Sequence, residues 1–433
     1  MLRPLKGIEL HFANKAYHEN ILMAIKFSHP KYVPMAIENF KKIFCGFRLK
    51  IVDNHYCRKD SNEITVHQIP GWIQDCQFAN SWVFRNHTIP ITEGLTTIAC
   101  NDSIVVVNSS HNLNDGGFMV KALNQCIDDL SNEKVYSDPP LYSSDAFKDD
   151  FEEATRKFDK KLIHPMNKLT KCQYDTNDPH LAPPGTHYID HNDIIHSSDL
   201  SCYDEKTKRP KSLSEMSWTA IGMSIAALNF INNRIPYDYR DPLSLTVVLD
   251  ARRFAFDKSR INWQFGNCVA QPSIKADVTK NDTIQDVCKK FRQYINILNP
   301  YGALYSAGHM HELLSTPPKV IFGCDSSIGP IKFKRPILDF DITDQAKMTL
   351  GTGDHGEKHG SQFTIISYSK INEDRNDFCY FSRFFPASMS FENAGALIAS
   401  YRYFMTKIPL NARFDDAMNE LIRFQNSIKK KFK

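Results

Sequence analysis

Apolar positions along this chain recur with two periods in turn, near two residues and near 3.6. Ile21-Leu-Met-Ala-Ile-Lys-Phe27 is an apolar run ending at Ser28-His-Pro30, which predicts a buried strand closed by a turn. Val33, Ile37, Phe40, Ile43 and Phe44 then recur at helical spacing, with Pro30 suited to a helix start, and predict a helix over 30–44. Glu63–His67 alternates like a half-buried strand. Leu95–Ala99 and Ser103–Asn108, parted by Asn101-Asp102, predict a hairpin, and helical spacing resumes from Phe118 to Leu130. The charged run from Asp149 to Lys161 reads as a surface helix.

Between Tyr174 and Ser214 the texture changes to Pro, His, Asp, Asn and Ser, the composition of a connection with little core of its own. Ser212-Leu-Ser-Glu215 has the form of a capping box and predicts a helix reaching about Asn232. Leu245–Leu249 predicts a buried strand. Asp282 is the expected cap of a helix through Asn296, and Ala303–Leu314 predicts another. Short strands are expected at Val320–Phe322, Thr364–Ser367 and Phe378–Phe381. Ser390-Phe-Glu-Asn393 then introduces a helix through Phe404, and the chain closes on an amphipathic helix. Strands and helices mix in both halves. The pattern therefore predicts an α/β (α+β) chain with an N-terminal lobe over 1–173, a crossover linker over 174–212 and a C-terminal lobe over 213–433, flanking a shared cleft.

Composition narrows the function classes. The 433 residues are 42% hydrophobic, ample for large cores without a metal or disulfide framework. Basic and acidic residues, 53 and 49, are spread evenly, which gives no concentrated basic face for nucleic acid. Eleven cysteines without a Cys-x-x-Cys pair fit free thiols in a reducing compartment. No run approaches the roughly 18 apolar residues of a membrane helix, and Met1–Gly7 lacks a signal-peptide core. A cytoplasmic monomer without an integral membrane segment is expected. The sequons at Asn86, Asn101, Asn108 and Asn281 are read as chance matches, because a glycan at Asn108 would obstruct the segment that follows it.

That segment, Asn108-Ser-Ser-His-Asn-Leu-Asn-Asp-Gly-Gly117, carries the chemistry. The strand ending in Ile104-Val-Val-Val107 delivers His111 to a turn that Asp115 and two glycines shape. An imidazole has an ordinary pKa near neutrality and suits general-base work on a hydroxyl or amine. A buried aspartate needs a cation, and Leu249-Asp-Ala-Arg-Arg253 offers Arg252 or Arg253 as partner of Asp115. The plainer reading of the same residues is a hydrogen-bonded core histidine and a helix N-cap.

Ser110-His-Asn-Leu-Asn-Asp-Gly116, following a Val-rich strand, resembles the HxxxDG signature of the CoA-dependent acyltransferase superfamily. That superfamily includes chloramphenicol acetyltransferase, the BAHD and alcohol acetyltransferases and the condensation domains. Further resemblances follow in order: Val248-Leu-Asp-Ala-Arg252 with Phe265-Gly-Asn267, Ser326-Ser-Ile-Gly-Pro330, and Met389-Ser-Phe-Glu-Asn-Ala394. The resemblance implies two chloramphenicol-acetyltransferase-like lobes, each a mixed sheet with flanking helices, and a tunnel between them. It implies His111 as general base, Asp115 as a structural holder of the loop, and Gly116 as the residue that lets pantetheine pass. Acyl-CoA, most plausibly acetyl-CoA, would be the co-substrate and a small alcohol or amine the acceptor, with no metal. Ser326, Ser327 and Thr352 are candidates for an oxyanion donor.

The sequence also departs from that pattern. The BAHD motif Asp-Phe-Gly-Trp-Gly is missing, with Leu338-Asp-Phe-Asp341 its nearest remnant, and Ser110 stands where condensation domains commonly carry a second histidine. A condensation-type synthase using a carrier-bound donor, and a non-catalytic binding protein of the same fold, are the alternatives. Asp354, His355, Glu357 and His359 share a glycine-rich loop that lacks the frame of a phosphate or zinc site. His309 and His311 would point to different helix faces, His187, His191 and His196 are expected in solvent, and Cys268 in the core.

Overall fold

In the computed structural model, residues 1–13, 17–61, 63–175, 177–182, 189–255, 266–298, 301–309, 319–348 and 361–431 are described. Two sheets organise them. The first has five strands in the order Ile337–Met348, Tyr17–Phe27, Ile104–Ser110, Thr96–Cys100 and Val66–Gln68. Its central strands are apolar on both faces because both faces are covered. Ile21, Met23, Ile25, Val105 and Val107 pack toward the helices Tyr32–Ile43 and Gly116–Gln125. Leu22, Ala24, Ile104 and Val106 pack toward the helix Cys76–His87. The continuous hydrophobic runs are thus the two alternating sets of one sandwiched sheet.

The second sheet has eight strands. Its main path runs Val269–Ala270, Leu243–Asp250, Val320–Lys332, Ser361–Ile371, Asn376–Phe384 and Ile189–His196. The long helix Leu213–Asn233 lies at the centre of this lobe's core, with Phe391–Lys407 and Phe414–Lys429 beside it. The two-lobed mixed architecture is the one the pattern predicts.

Two strands depart from the linear division of the chain. Ile337–Met348 pairs antiparallel with Tyr17–Phe27 from Ile337↔Phe27 to Met348↔Tyr17, so a segment from the C-terminal half completes the first sheet. Ile189–His196 forms the edge of the second sheet against Asn376–Phe384, inside the stretch read as a linker. Within that strand only Ile195 is buried, which is why its polar composition resembles a loop.

Two caps also differ from expectation. Ser212 sits at φ 51° with no side-chain cap, and Glu215 is buried beside Arg292 instead of reaching back to it. Asp282 accepts from the Thr279 amide and from Lys290; the helix Ile284–Leu298 is opened by Thr283 and Asp286, each accepting the other's amide at 3.2 Å. Ser390 does cap its helix, accepting from the Asn393 amide.

Candidate active site

The His111 turn is fixed mostly by its own polar residues. Asn112 donates to the Glu9 carbonyl at 2.6 Å and accepts from Ser110 Oγ at 2.7 Å, while Asn114 donates to Ser109 Oγ at 2.6 Å. All four are buried, so each hydrogen bond replaces water the turn has lost. The His111 amide donates to the Glu19 carbonyl at 2.9 Å, which ties the turn to the next strand.

Asp115 is 3% exposed and does two things at once. One oxygen caps the helix Gly116–Gln125 through the Phe118 amide at 2.9 Å. Both oxygens accept from Arg252 Nη1, at 3.0 and 2.9 Å, and Oδ2 also accepts from the Cys268 amide at 2.7 Å. The N-cap and the ion pair, rival readings of the sequence, coexist. Arg252 in turn reaches Asp250 at 3.0 Å and the Gly266 carbonyl. Burial works against the Arg252 charge, but the Asp115 and Asp250 carboxylates outweigh it and hold its pKa above the usual value. Arg253 is not the partner of Asp115; its guanidinium donates to the Ile328 carbonyl at 3.2 Å.

Small residues make this approach possible. A Cβ on Gly117 would stand 2.8 Å from Asp250 Oδ2 and 3.1 Å from Arg252 Nη1. On Gly116 it would meet Ile328 at 3.0 Å, so this glycine admits a side chain of the far lobe. Gly266 presses on the Leu113 carbonyl, where a Cβ has no room at all.

The next residue, Asn267, holds His111 itself. Its amide nitrogen lies 2.7 Å from the His111 carbonyl oxygen and 3.2 Å from Nδ1. The imidazole stacks on Phe12 at a centroid distance of 4.4 Å. Its Nε2 has no hydrogen-bond partner among the described residues. An amide N–H on Nδ1 leaves the proton on Nε2, whereas base action at Nε2 needs the proton on Nδ1, so Asn267 controls the tautomer.

A cavity of about 60 Å³ lies between the lobes at this imidazole. The first sheet and its turn contribute Ile21, His111, Asp115, Gly116, Ile342, Thr343 and Asp344; the second lobe contributes Val248, Val269, Ser326, Ile328 and Ile366. The lining is mainly aliphatic with a few polar groups, the composition of a small-molecule site. Ser326 faces the cavity, whereas its neighbour Ser327 is not among the lining residues. Thr352 and the loop with Asp354, His355, Glu357 and His359 lie outside the described residues, as do Phe265, His187 and His311.

The other candidates fall away from the site. His309 stacks on Tyr305 and contacts its carbonyl at 3.0 Å, and His191 and His196 are exposed. Burial pushes the Cys268 thiol up to about 12, which suits packing over nucleophilic attack. Asn101 and Asn108 are buried, so neither can carry a glycan in this fold. Among the described residues no group of three or more His, Cys, Asp or Glu side chains could hold a metal, and no helix is long and apolar enough to cross a membrane.

Reading the sequence locally misses Thr343, Asp344 and Glu19, the first two because they ride on a strand supplied from the other half of the chain, whereas the pair Gly116-Gly117 already marks a close approach at the helix start.

No protein-family model matches the chain, and no curated protein matches it in sequence. Its fold nevertheless resembles solved structures over nearly its whole length. A starter condensation domain of rhizomide synthetase, solved with C8-CoA, is 11% identical, covers 96% of this chain and 97% of its own, and superposes with a TM-score of 0.62. The epimerization domain from the third module of tyrocidine synthetase B is 12% identical with 100% and 98% coverage and a TM-score of 0.58. Polyketide synthase associated protein 5 from Mycobacterium tuberculosis is 11% identical with 94% and 97% coverage and a TM-score of 0.56. At such identities the likeness speaks for the fold. It is a two-lobed fold like that of these condensation and epimerization domains, as the motifs led one to expect.

Proposed function

We propose that this chain is an acyltransferase that moves a short acyl group, most plausibly acetyl, from acyl-CoA to a small hydroxyl or amine acceptor. One observation carries the reading. His111 presents an unpartnered Nε2 at an aliphatic cavity between two lobes, with its turn clamped from the far lobe by Arg252 and Asn267. Such clamping holds a reacting group within the narrow geometry that catalysis requires.

In this mechanism the acceptor and thioester meet in the cleft. His111 Nε2 takes the acceptor's proton as its nitrogen or oxygen attacks the thioester carbonyl. The new acyl bond forms, the carbon–sulfur bond breaks, and the proton passes from His111 to the departing CoA sulfur. No covalent acyl-enzyme forms. Base action requires the proton on Nδ1, so His111 gives up the longer of its two Asn267 contacts and keeps the one through its carbonyl. Ser326 is the donor candidate for the oxyanion, since it lines the cavity. Asp115 acts only through the position of the loop.

A second reading has a specific observation behind it: the similar structures are condensation and epimerization domains. In that case the donor would arrive on a carrier protein. Release of free thiol from acetyl-CoA in the presence of small alcohols and amines tests both. Thiol release supports the CoA-dependent enzyme, turnover only with carrier-bound donors supports the condensation type, and no turnover with either leaves a binding protein.

A further inference from the structure

One side chain of the cavity wall is held differently from the rest. Six aliphatic residues line the cavity, and five of them stand in paired strands. Ile21 pairs with Ser109 and Ile342 with Met23 in the first sheet. Val248 pairs with Ser326, Val269 with Asp250 and Ile366 with Phe381 in the second. Ile328 has no partner across the sheet among the described residues. The pairing of Val320–Lys332 with Ser361–Ile371 slips there, from Ser327↔Ser367 to Gly329↔Tyr368.

That slip inserts Ile328 as an extra residue, and Gly329 beside it sits at φ 93°, a backbone conformation that favours glycine. An insertion of this kind bends its strand and re-aims a side chain. Arg253 donates to the Ile328 carbonyl at 3.2 Å and so fixes the bulge. The side chain leaves its own lobe and packs, half-buried, against the core of the first sheet. Its tip lies over Gly116, where a Cβ would stand 3.0 Å from Cγ1 and 3.1 Å from Cδ1. Gly116 and His111 line the same cavity, so Ile328 spans the cleft beside the proposed base.

We infer that Ile328 sets the length of the acyl chain the site accepts. The inference rests on the acyl-transfer reading and adds a specificity-determining residue to it. An aliphatic wall offers no hydrogen bonds, so it suits the apolar part of the reaction, which is the acyl chain. The hydroxyl or amine of the acceptor gains nothing from such a wall. The five paired residues move only with their sheets. Ile328 projects from a bulge over the gap between the lobes, and trimming it opens room continuous with the cavity.

Acetyl-CoA, butyryl-CoA and hexanoyl-CoA test this with the full chain, read by thiol release in the presence of butanol or butylamine. In Ile328→Ala, checked for folding by thermal melting, the hexanoyl to acetyl ratio of kcat/KM should rise about tenfold or more over the native ratio. Ile328→Val, which removes a single methyl group, should raise it about threefold, and decides alone should the alanine variant not fold. A residue that only packs the lobes together would lower all three donors equally. An unchanged ratio in a folded variant therefore overturns the inference and leaves acyl transfer standing. So does a shift confined to the acceptor, read with acetyl-CoA and alcohols from ethanol to hexanol. Should nothing release thiol, the acyl-transfer reading falls, and calorimetric titration of native and variant proteins with the same three esters decides the inference. A gain in affinity for hexanoyl-CoA over acetyl-CoA in the variant supports it; parallel affinities, or no binding, overturn it.

Discussion

Asn267 holds His111 by two atoms from across the cleft, 2.7 Å to its carbonyl oxygen and 3.2 Å to Nδ1. The backbone position of the proposed base is therefore set by one amide of the opposite lobe, through the contact to its carbonyl. Asn267→Ala should lower kcat by about 100-fold, the scale of a misplaced reacting group, with a small change in KM. Steady-state kinetics of acetyl transfer against thermal melting checks this. An Asn267→Ala protein with native kcat would remove the positioning role.

His111 and Asp115 should separate in their effects. His111 is half-buried with a free Nε2, so His111→Ala should abolish transfer and leave the melting temperature close to native. Asp115→Asn strips the charge facing buried Arg252 and turns a donor toward the Cys268 amide. Breaking a buried pair in this way costs about 3–5 kcal/mol, so stability and activity should fall together. Urea unfolding of both variants is the measurement.

Gly117 offers a steric test of the same clamp. Gly117→Ala places a methyl 2.8 Å from Asp250 Oδ2 and should destabilise by about 1–3 kcal/mol. Gly71→Ala, with nothing within 4 Å, is the control and should be close to neutral. Equal midpoints in urea for the two variants would contradict the packing described.

A buried acid elsewhere gives a pH signature. Burial lifts the Asp325 carboxyl from 3.8 to about 7, although Ser217 and Trp218 donate to it. The folded state thus binds this proton more tightly than the unfolded chain. Its contribution is complete below the unfolded pKa and is lost as pH rises through about 7. At about 1.4 kcal/mol per unit, the loss is at most about 4 kcal/mol. Asp325→Asn should therefore gain on the native protein between pH 5 and pH 8, about 1 kcal/mol or more, in melting curves taken across that range.

Legibility in the sequence followed the range of the interaction. The Val-rich strand before His111, the hairpin and the Ser390 cap are local, and spacing alone predicts them. Arg252 could be nominated for Asp115 because a buried carboxylate requires a cation and few arginines end a buried strand. The choice against Arg253 was not readable, since adjacent residues differ only in which way each turns. Ser212 and Glu215 match a capping box in letters, yet burial of Glu215 beside Arg292 draws it elsewhere. Pairing of Tyr17–Phe27 with Ile337–Met348 leaves no mark in either segment, and Asp344 was invisible with it.

That pairing has a consequence for the order in which the molecule can be made. The first sheet lacks an outer strand until the ribosome has supplied residue 348, and the exposed flank of Tyr17–Phe27 must wait for it. Such long-range closure is slow, because the intervening chain is ordered before the contact repays it. The amino-terminal sheet is therefore unfinished until Ile337–Met348 is made, and this last strand arrives together with the wall of the cleft that bears Asp344. Closing the first sheet and bringing Asp344 to the cleft are one event.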